Sequence, residues 1–196
     1  MTSRRALTIF LILASAIAAV SLYVFEPYRA AVSCLLGWTA LAIAVYDAEN
    51  LIIPDVLSLP LIPFGLIAVW LLDGADAEQA SVLEHIAAAI AGCGLLYAVR
   101  QGYYLWRDRE GLGLGDVKLG AAAGAWTGLQ GLSNVLLLAC VLAISYVVLL
   151  RFYKKSSITA MTAVPFGIFL APSIWVIWCI DFLAVGTKFN LLAATP

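Results

Sequence analysis

The sequence predicts an all-α, polytopic membrane protein, a bundle of about seven transmembrane helices whose N-terminus is cytoplasmic. Hydrophobic residues make up 64% of the 196 residues and charged residues only 12%, about half the charged share of soluble domains. The mean hydropathy is +1.01, and the apolar residues fall into runs close to the roughly 20 residues that cross a bilayer. The length suits one transmembrane domain, residues 1–196.

Seven apolar runs define the predicted helices. The first run follows Arg4-Arg5, Pro54-Asp55 breaks the chain before the third, an acidic loop separates the third from the fourth, and a glycine-rich loop precedes the fifth. The fifth run is short and rich in Ala and Gly, so it is expected to pack inside the bundle, and its boundaries are the least determined. The predicted spans are Ala6–Phe25, Ala30–Tyr46, Val56–Leu72, Leu83–Trp106, Val117–Leu129, Leu132–Tyr153 and Val164–Val185.

The distribution of positive charge predicts the orientation in the membrane. Lys and Arg concentrate in cytoplasmic loops, and a cytoplasmic N-terminus places nine of the 11 on that side. A re-entrant fifth segment would weaken this bias, so seven crossings are preferred. The inside set is Arg4, Arg5, Arg100, Arg107, Arg109, Lys118, Arg151, Lys154 and Lys155, and the outside set is Arg29 and Lys188.

Two aspartates stand at the ends of apolar runs. Asp47 closes the second predicted helix, where the helix dipole opposes a negative charge, and Asp116 follows the alternating glycines Gly111, Gly113 and Gly115. Two predicted crossings separate these aspartates, so both fall on the cytoplasmic side. Taken alone, Asp47 is also explained as a solvated loop residue, and Asp116 as a helix N-cap.

Two carboxyl groups in one site divide the roles of acid and base, because the charge on one favours the protonated form of the other. Such a pair activates water for amide hydrolysis without a metal or a covalent intermediate. Asp55, after Pro54, is predicted to N-cap the third helix, and Glu49 to face solvent. Sequence separation leaves open whether Asp47 and Asp116 meet.

Other chemistries find no support in the sequence. The four cysteines form no CxxC pair, His85 is the sole histidine, and neither GxSxG nor HExxH occurs. No metal and no cofactor are therefore expected. The net charge of −1 implies no basic surface for nucleic acid.

The two aspartate motifs together resemble the type IV prepilin peptidases, membrane aspartic proteases of the GxGD kind. Gly113-Leu-Gly115-Asp116 fits that signature within residues 109–118, and 124–128 fits as well. Asp47 is followed seven positions later by Pro54-Asp55, and segments 57–61 and 164–171 resemble further family segments in the same order.

The resemblance implies that Asp47 and Asp116 are the catalytic aspartates. They would cleave the basic leader of a prepilin or pseudopilin after a glycine, at the cytoplasmic face of the bacterial inner membrane. Methyltransferase activity is not expected, because the four-cysteine region of the bifunctional members has no counterpart here. We expect four residues to position the loops of the two motifs: Gly113, Gly115, Pro54 and Asp55. We expect Glu49, Glu110 and Lys118 to contact the substrate. The acidic residues among them, together with Asp55, would suit a basic leader.

Two other classes of function stay open at this point. The chain could be a catalytically silent scaffold of a pilus or secretion assembly, which would not need both aspartates. It could also carry ions or protons through Asp47 and Asp116, although few other charges lie within the predicted spans. The oligomeric state and the identity of the prepilin are left open.

Overall fold

The computed structural model describes residues 3–72, 78–154 and 165–193 of the chain. This part contains six helices and no strand, which confirms the predicted all-α class. The helices are α1 (Ser3–Val24), α2 (Pro27–Asn50), α3 (Asp55–Leu72), α4 (Glu78–Arg107), α5 (Leu114–Lys154) and α6 (Gly167–Ala193).

Five of these helices are long and apolar enough to cross a membrane. The spanning stretches are Leu7–Val24, Pro27–Asn50, Asp55–Leu72, Ser81–Arg107 and Leu114–Phe152, and α6 adds a shorter apolar stretch, Gly167–Leu183. The predicted bounds of the first four helices agree with α1 to α4 to within a few residues. The start of the seventh predicted span, at Val164, lies outside the described residues.

The fifth helix is a hairpin of two arms, 114–127 and 129–154, joined at Gly128. Gly128 has φ 65° and ψ −173°, a backbone that favours glycine. Gly92 of α4 lies beside Gly120 in the first arm and also beside Leu132 in the second, so the chain turns back at this glycine. The Glu84 carboxylate accepts a hydrogen bond from the Leu129 N–H at 2.9 Å and so caps the returning arm. With its arms counted separately, the described residues form the seven helical segments that the sequence predicts.

The first arm of α5 packs closely against α4. A Cβ on Gly92 would overlap the carbonyl of Gly120, and a Cβ on Gly124 would overlap the backbone of Ala88. Small residues allow this approach of two helix backbones. The Ala- and Gly-rich segment is therefore buried in the bundle, as predicted, and it carries Trp126, whose Nε1 donates to the Leu61 carbonyl at 2.8 Å.

Helix α6 is joined to α2 by polar contacts within the bundle. Trp175 Nε1 donates to Ser33 Oγ at 3.0 Å, and Ser33 Oγ lies 2.8 Å from Ser21 Oγ of α1. Trp175 also fills the space beside Gly37 of α2. These contacts fix α6 alongside α2, so that the N-terminus of α6 lies at the C-terminus of α2.

The glycines of α4 and α5 allow a test of this packing. Gly124→Ala is expected to lower the free energy of unfolding by about 1–3 kcal/mol, because the added methyl overpacks the contact with Ala88. Gly94→Ala, on the exposed face of α4 where an added Cβ would meet no packing neighbour within 4 Å, is the matched control and should stabilise by about 0.5–1 kcal/mol, since alanine favours the helix. Thermal unfolding of the purified protein in detergent measures both, and equal shifts would contradict the packing.

Candidate active site

Asp47 lies in the last turn of α2 and is 4% exposed. The helix continues to Asn50 and ends at Leu51, which adopts a left-handed conformation (φ 56°, ψ 31°) and donates its N–H to the Asp47 carbonyl. The sequence identified the unfavourable position of a carboxylate at this helix end. The structure adds a compensating interaction, because the backbone N–H groups of Gly167 and Ile168, at the start of α6, face the Asp47 carboxyl group. A helix N-terminus favours negative charge.

Gly167 makes this approach possible. A Cβ at this position would stand 2.8 Å from Asp47 Oδ2, closer than a carbon and an oxygen can pack. The sequence motif around Pro165 and Phe166 indicated a functional segment but no role for the glycine. A proline shortly before an apolar run is a signal for a helix start, yet the sequence does not say which side chain that helix start faces.

Asp116 is the third residue of α5 and is 8% exposed. Its Oδ2 accepts a hydrogen bond from the backbone N–H of Gly113 at 3.2 Å. The N-cap explanation for Asp116 is therefore wrong: Gly113 precedes the helix, and Asp116 reaches back to it from the third position, as the acidic residue of a capping box does. The glycine loop and the aspartate form one local unit.

Asp47 and Asp116 line one cavity of about 270 Å³, and the charge of Asp47 acts on Asp116. Asp47 Oδ2 and Asp116 Oδ1 are buried and have no hydrogen-bond partner among the described residues. Such oxygens can bind a water molecule or a peptide group. The cavity is lined by Asp47, Leu51, Ile52, Ile53, Asp55, Gly113, Leu114, Gly115, Asp116 and Lys118.

Asp55 and Lys118 form an ion pair on the wall of this cavity. Lys118 Nζ lies 2.5 Å from Asp55 Oδ1, with the two side chains 33% and 58% exposed. Asp55 is the first residue of α3 rather than its N-cap, so that prediction is wrong; the carbonyl of Pro54 accepts from the N–H groups of Leu57 and Ser58. The pair joins the first residue of α3 to the second turn of α5.

The other two predicted contact residues lie away from the cavity wall. Glu110 pairs with Arg100, whose Nε also donates to the Leu112 carbonyl at 3.1 Å, so Arg100 fixes the glycine loop from α4. Glu49 is exposed, as predicted, and neither Glu49 nor Glu110 lines the cavity. Roles in binding substrate remain predictions for both.

Ile53 is a site residue that sequence reasoning missed. It is 7% exposed, lines the cavity and lies against both Gly115 and Gly167. An apolar residue among apolar neighbours gives no local sequence signal of such a position.

Known proteins resemble this chain across most of its length. The family model described as "Type IV leader peptidase family" matches residues 34–148. The "Prepilin leader peptidase/N-methyltransferase" of Escherichia coli (strain K12) is 37% identical over 166 residues, which cover 83% of this chain and 68% of that protein. The protein of the same name from Pseudomonas aeruginosa is 37% identical over 150 residues, and the chain spans 49% of its length. No solved structure matches significantly.

The two buried carboxyl groups are expected to reduce stability. Asp47→Asn and Asp116→Asn should each raise the free energy of unfolding by about 1–2 kcal/mol, because with one carboxyl group left the site need neither bury two charges nor bind a proton to avoid them. Thermal unfolding in detergent at neutral pH measures the change. Asp108→Asn, on the exposed loop after α4, is the control and should unfold as the wild type does. A lower melting temperature for both site variants would contradict this expectation.

Proposed function

The chain belongs to the type IV leader peptidase family, and from this premise we propose that it is a membrane aspartic endopeptidase that removes the leader peptide of prepilins or pseudopilins. One observation carries the proposal: Asp47 and Asp116, which lie far apart in sequence, are both buried and line the same cavity. The family supplies the substrate class, and the two carboxyl groups supply the chemistry.

The proposed mechanism uses one carboxyl as base and the other as acid. Asp47, faced by two N–H groups of α6, carries the negative charge and takes a proton from water as the water oxygen attacks the scissile carbonyl carbon. Asp116 holds a proton and donates it to the carbonyl oxygen, which gives a neutral tetrahedral intermediate. Asp47 then protonates the leaving nitrogen while Asp116 takes a proton back from the intermediate, so both groups return to their starting states.

The proposal places this site at the cytoplasmic face of a bacterial inner membrane, within one transmembrane peptidase domain, residues 1–196. The excess of Lys and Arg assigned to that side supports the orientation. For this chain we propose peptidase activity alone. The methyl transfer named for the relatives is not carried over, because the four cysteines lie on four different helices, α2, α4, α5 and α6, and form no ligand cluster.

Cleavage of a prepilin tests the catalytic roles. Asp47→Asn and Asp116→Asn should each reduce leader removal at least about 100-fold, since each removes a group that transfers a proton in the reaction. Co-expression of the full chain with a prepilin, followed by leader loss on a gel, measures the effect. Glu26→Gln, at the exposed start of α2, is the control and should cleave normally. Wild-type rates in either Asn variant would overturn the aspartic mechanism, and a wild-type chain inert on prepilins would favour the scaffold.

Labelling of single cysteines tests the orientation. In a variant without Cys34, Cys93, Cys140 and Cys179, a cysteine at Glu26 should react with a membrane-impermeant maleimide on intact spheroplasts. A cysteine at Asp108 should react only after lysis, because the proposal places it on the cytoplasmic side with the site. The reverse pattern would refute a cytoplasmic site without affecting the assignment of the catalytic aspartates.

A further inference from the structure

The link between α2 and α3 places one apolar side chain among the elements that hold the two aspartates. Ile53 is 7% exposed, whereas its neighbours Leu51 and Ile52 are 54% and 64% exposed. The burial of Ile53 is therefore specific to its position, and it is not a property of the link as a whole.

Two glycines lie against Ile53, one at each helix start. A Cβ on Gly115, in the first turn of α5, would stand 2.6 Å from Ile53 Cβ. A Cβ on Gly167, the first residue of α6, would stand 2.8 Å from Ile53 Cδ1. Ile53 thus fills the space between the two helix N-termini, and any larger residue at either glycine would have to displace it.

Each of these helix starts holds one carboxyl group. Gly115 directly precedes Asp116, and Gly167 lies against the Asp47 carboxyl group, since a Cβ on this glycine would stand 2.8 Å from Asp47 Oδ2. If the start of α5 moves relative to the start of α6, Asp116 therefore moves relative to Asp47. Ile53 contacts both helix starts at these glycines and so acts as a spacer between them.

We propose that Ile53 is a positioning residue that sets the separation of Asp47 and Asp116, an inference that rests on the proposed function. Its Cγ1 and Cδ1 lie against both Gly115 and Gly167, and its Cβ lies against Gly115. Removing Cγ1 and Cδ1 keeps both aspartates in the chain but lets the two helix starts shift. Proton transfer depends on the spacing of acid and base, and a displacement of about 1 Å can cost about 100-fold in rate.

A graded series of variants at Ile53 tests the spacer. With the purified full chain in detergent and a synthetic prepilin peptide, Ile53→Ala should lower kcat about 10–100-fold while KM stays within about threefold. Ile53→Val keeps the contact with Gly115 and loses only Cδ1, so kcat should fall about 2–5-fold. Val56→Ala, at an 83% exposed position three residues later, should leave both constants unchanged.

A core variant separates positioning from general loss of stability. Ile177 is 8% exposed and lies about three turns from Gly167, so Ile177→Ala creates a similar cavity away from the site. Its melting temperature should fall as far as that of Ile53→Ala, whereas its kcat should stay near wild type. An equal loss of kcat in the two alanine variants would overturn the spacer.

The remaining outcomes are also decisive. If Ile53→Ala does not fold, Ile53→Val decides, and a wild-type kcat in that variant would refute the inference. If the Asn variants of Asp47 and Asp116 are inactive and Ile53→Ala keeps its kcat, the spacer alone fails. If those Asn variants cleave normally, the proposed function fails first.

Discussion

Two carboxyl groups buried side by side at one end of an apolar bundle are the constraint on which the rest of the structure depends. An isolated charge in a low-dielectric interior costs several kcal/mol, and a second carboxyl beside it adds to that cost. The fold offsets part of the cost with backbone donors: the start of α6 faces Asp47, and the Gly113 N–H binds Asp116. Both sources are helix N-termini, which supply donors without adding another charged side chain.

Bringing two helix N-termini to the end of α2 requires a particular chain path. The first arm of α5 leaves the site, the hairpin at Gly128 returns the second arm, and α6 then starts again beside Asp47. Tyr146 of the returning arm contacts Phe169 near the start of α6, with ring centroids 5.5 Å apart. Gly128 lies at the end of the bundle away from the two aspartates. The turn at Gly128 sets the direction of the returning arm, and this direction determines that α6 starts beside Asp47.

The sequence was sufficient for the fold class and for the bounds of the first four helices, because these follow from apolar runs and from local chain breaks. It also predicted that Asp47 and Asp116 share one end of the bundle, since two crossings separate them. It did not predict what each carboxyl touches. Asp55 pairs with Lys118, 63 positions away, and Asp47 lies against Gly167 at the start of α6. Both contacts depend on tertiary packing that no local pattern encodes.

The position of the site at the helix ends reconciles two requirements that conflict elsewhere in the bundle. Hydrolysis of a peptide needs water and an extended substrate backbone, and the apolar interior of the bundle excludes both. The electrostatic interactions of an acid and base pair, by contrast, are stronger in surroundings of low dielectric. At the end of the bundle the carboxyls are 4% and 8% exposed, while Leu51, Ile52 and Leu114 around the same cavity are more than half exposed. In the proposed peptidase, this apolar rim over buried carboxyls would admit a peptide and exclude bulk water once the peptide covers the rim. The proposed catalytic pair gives a reason for this combination, whereas a scaffold would bear the cost in stability of the buried carboxyls without using them.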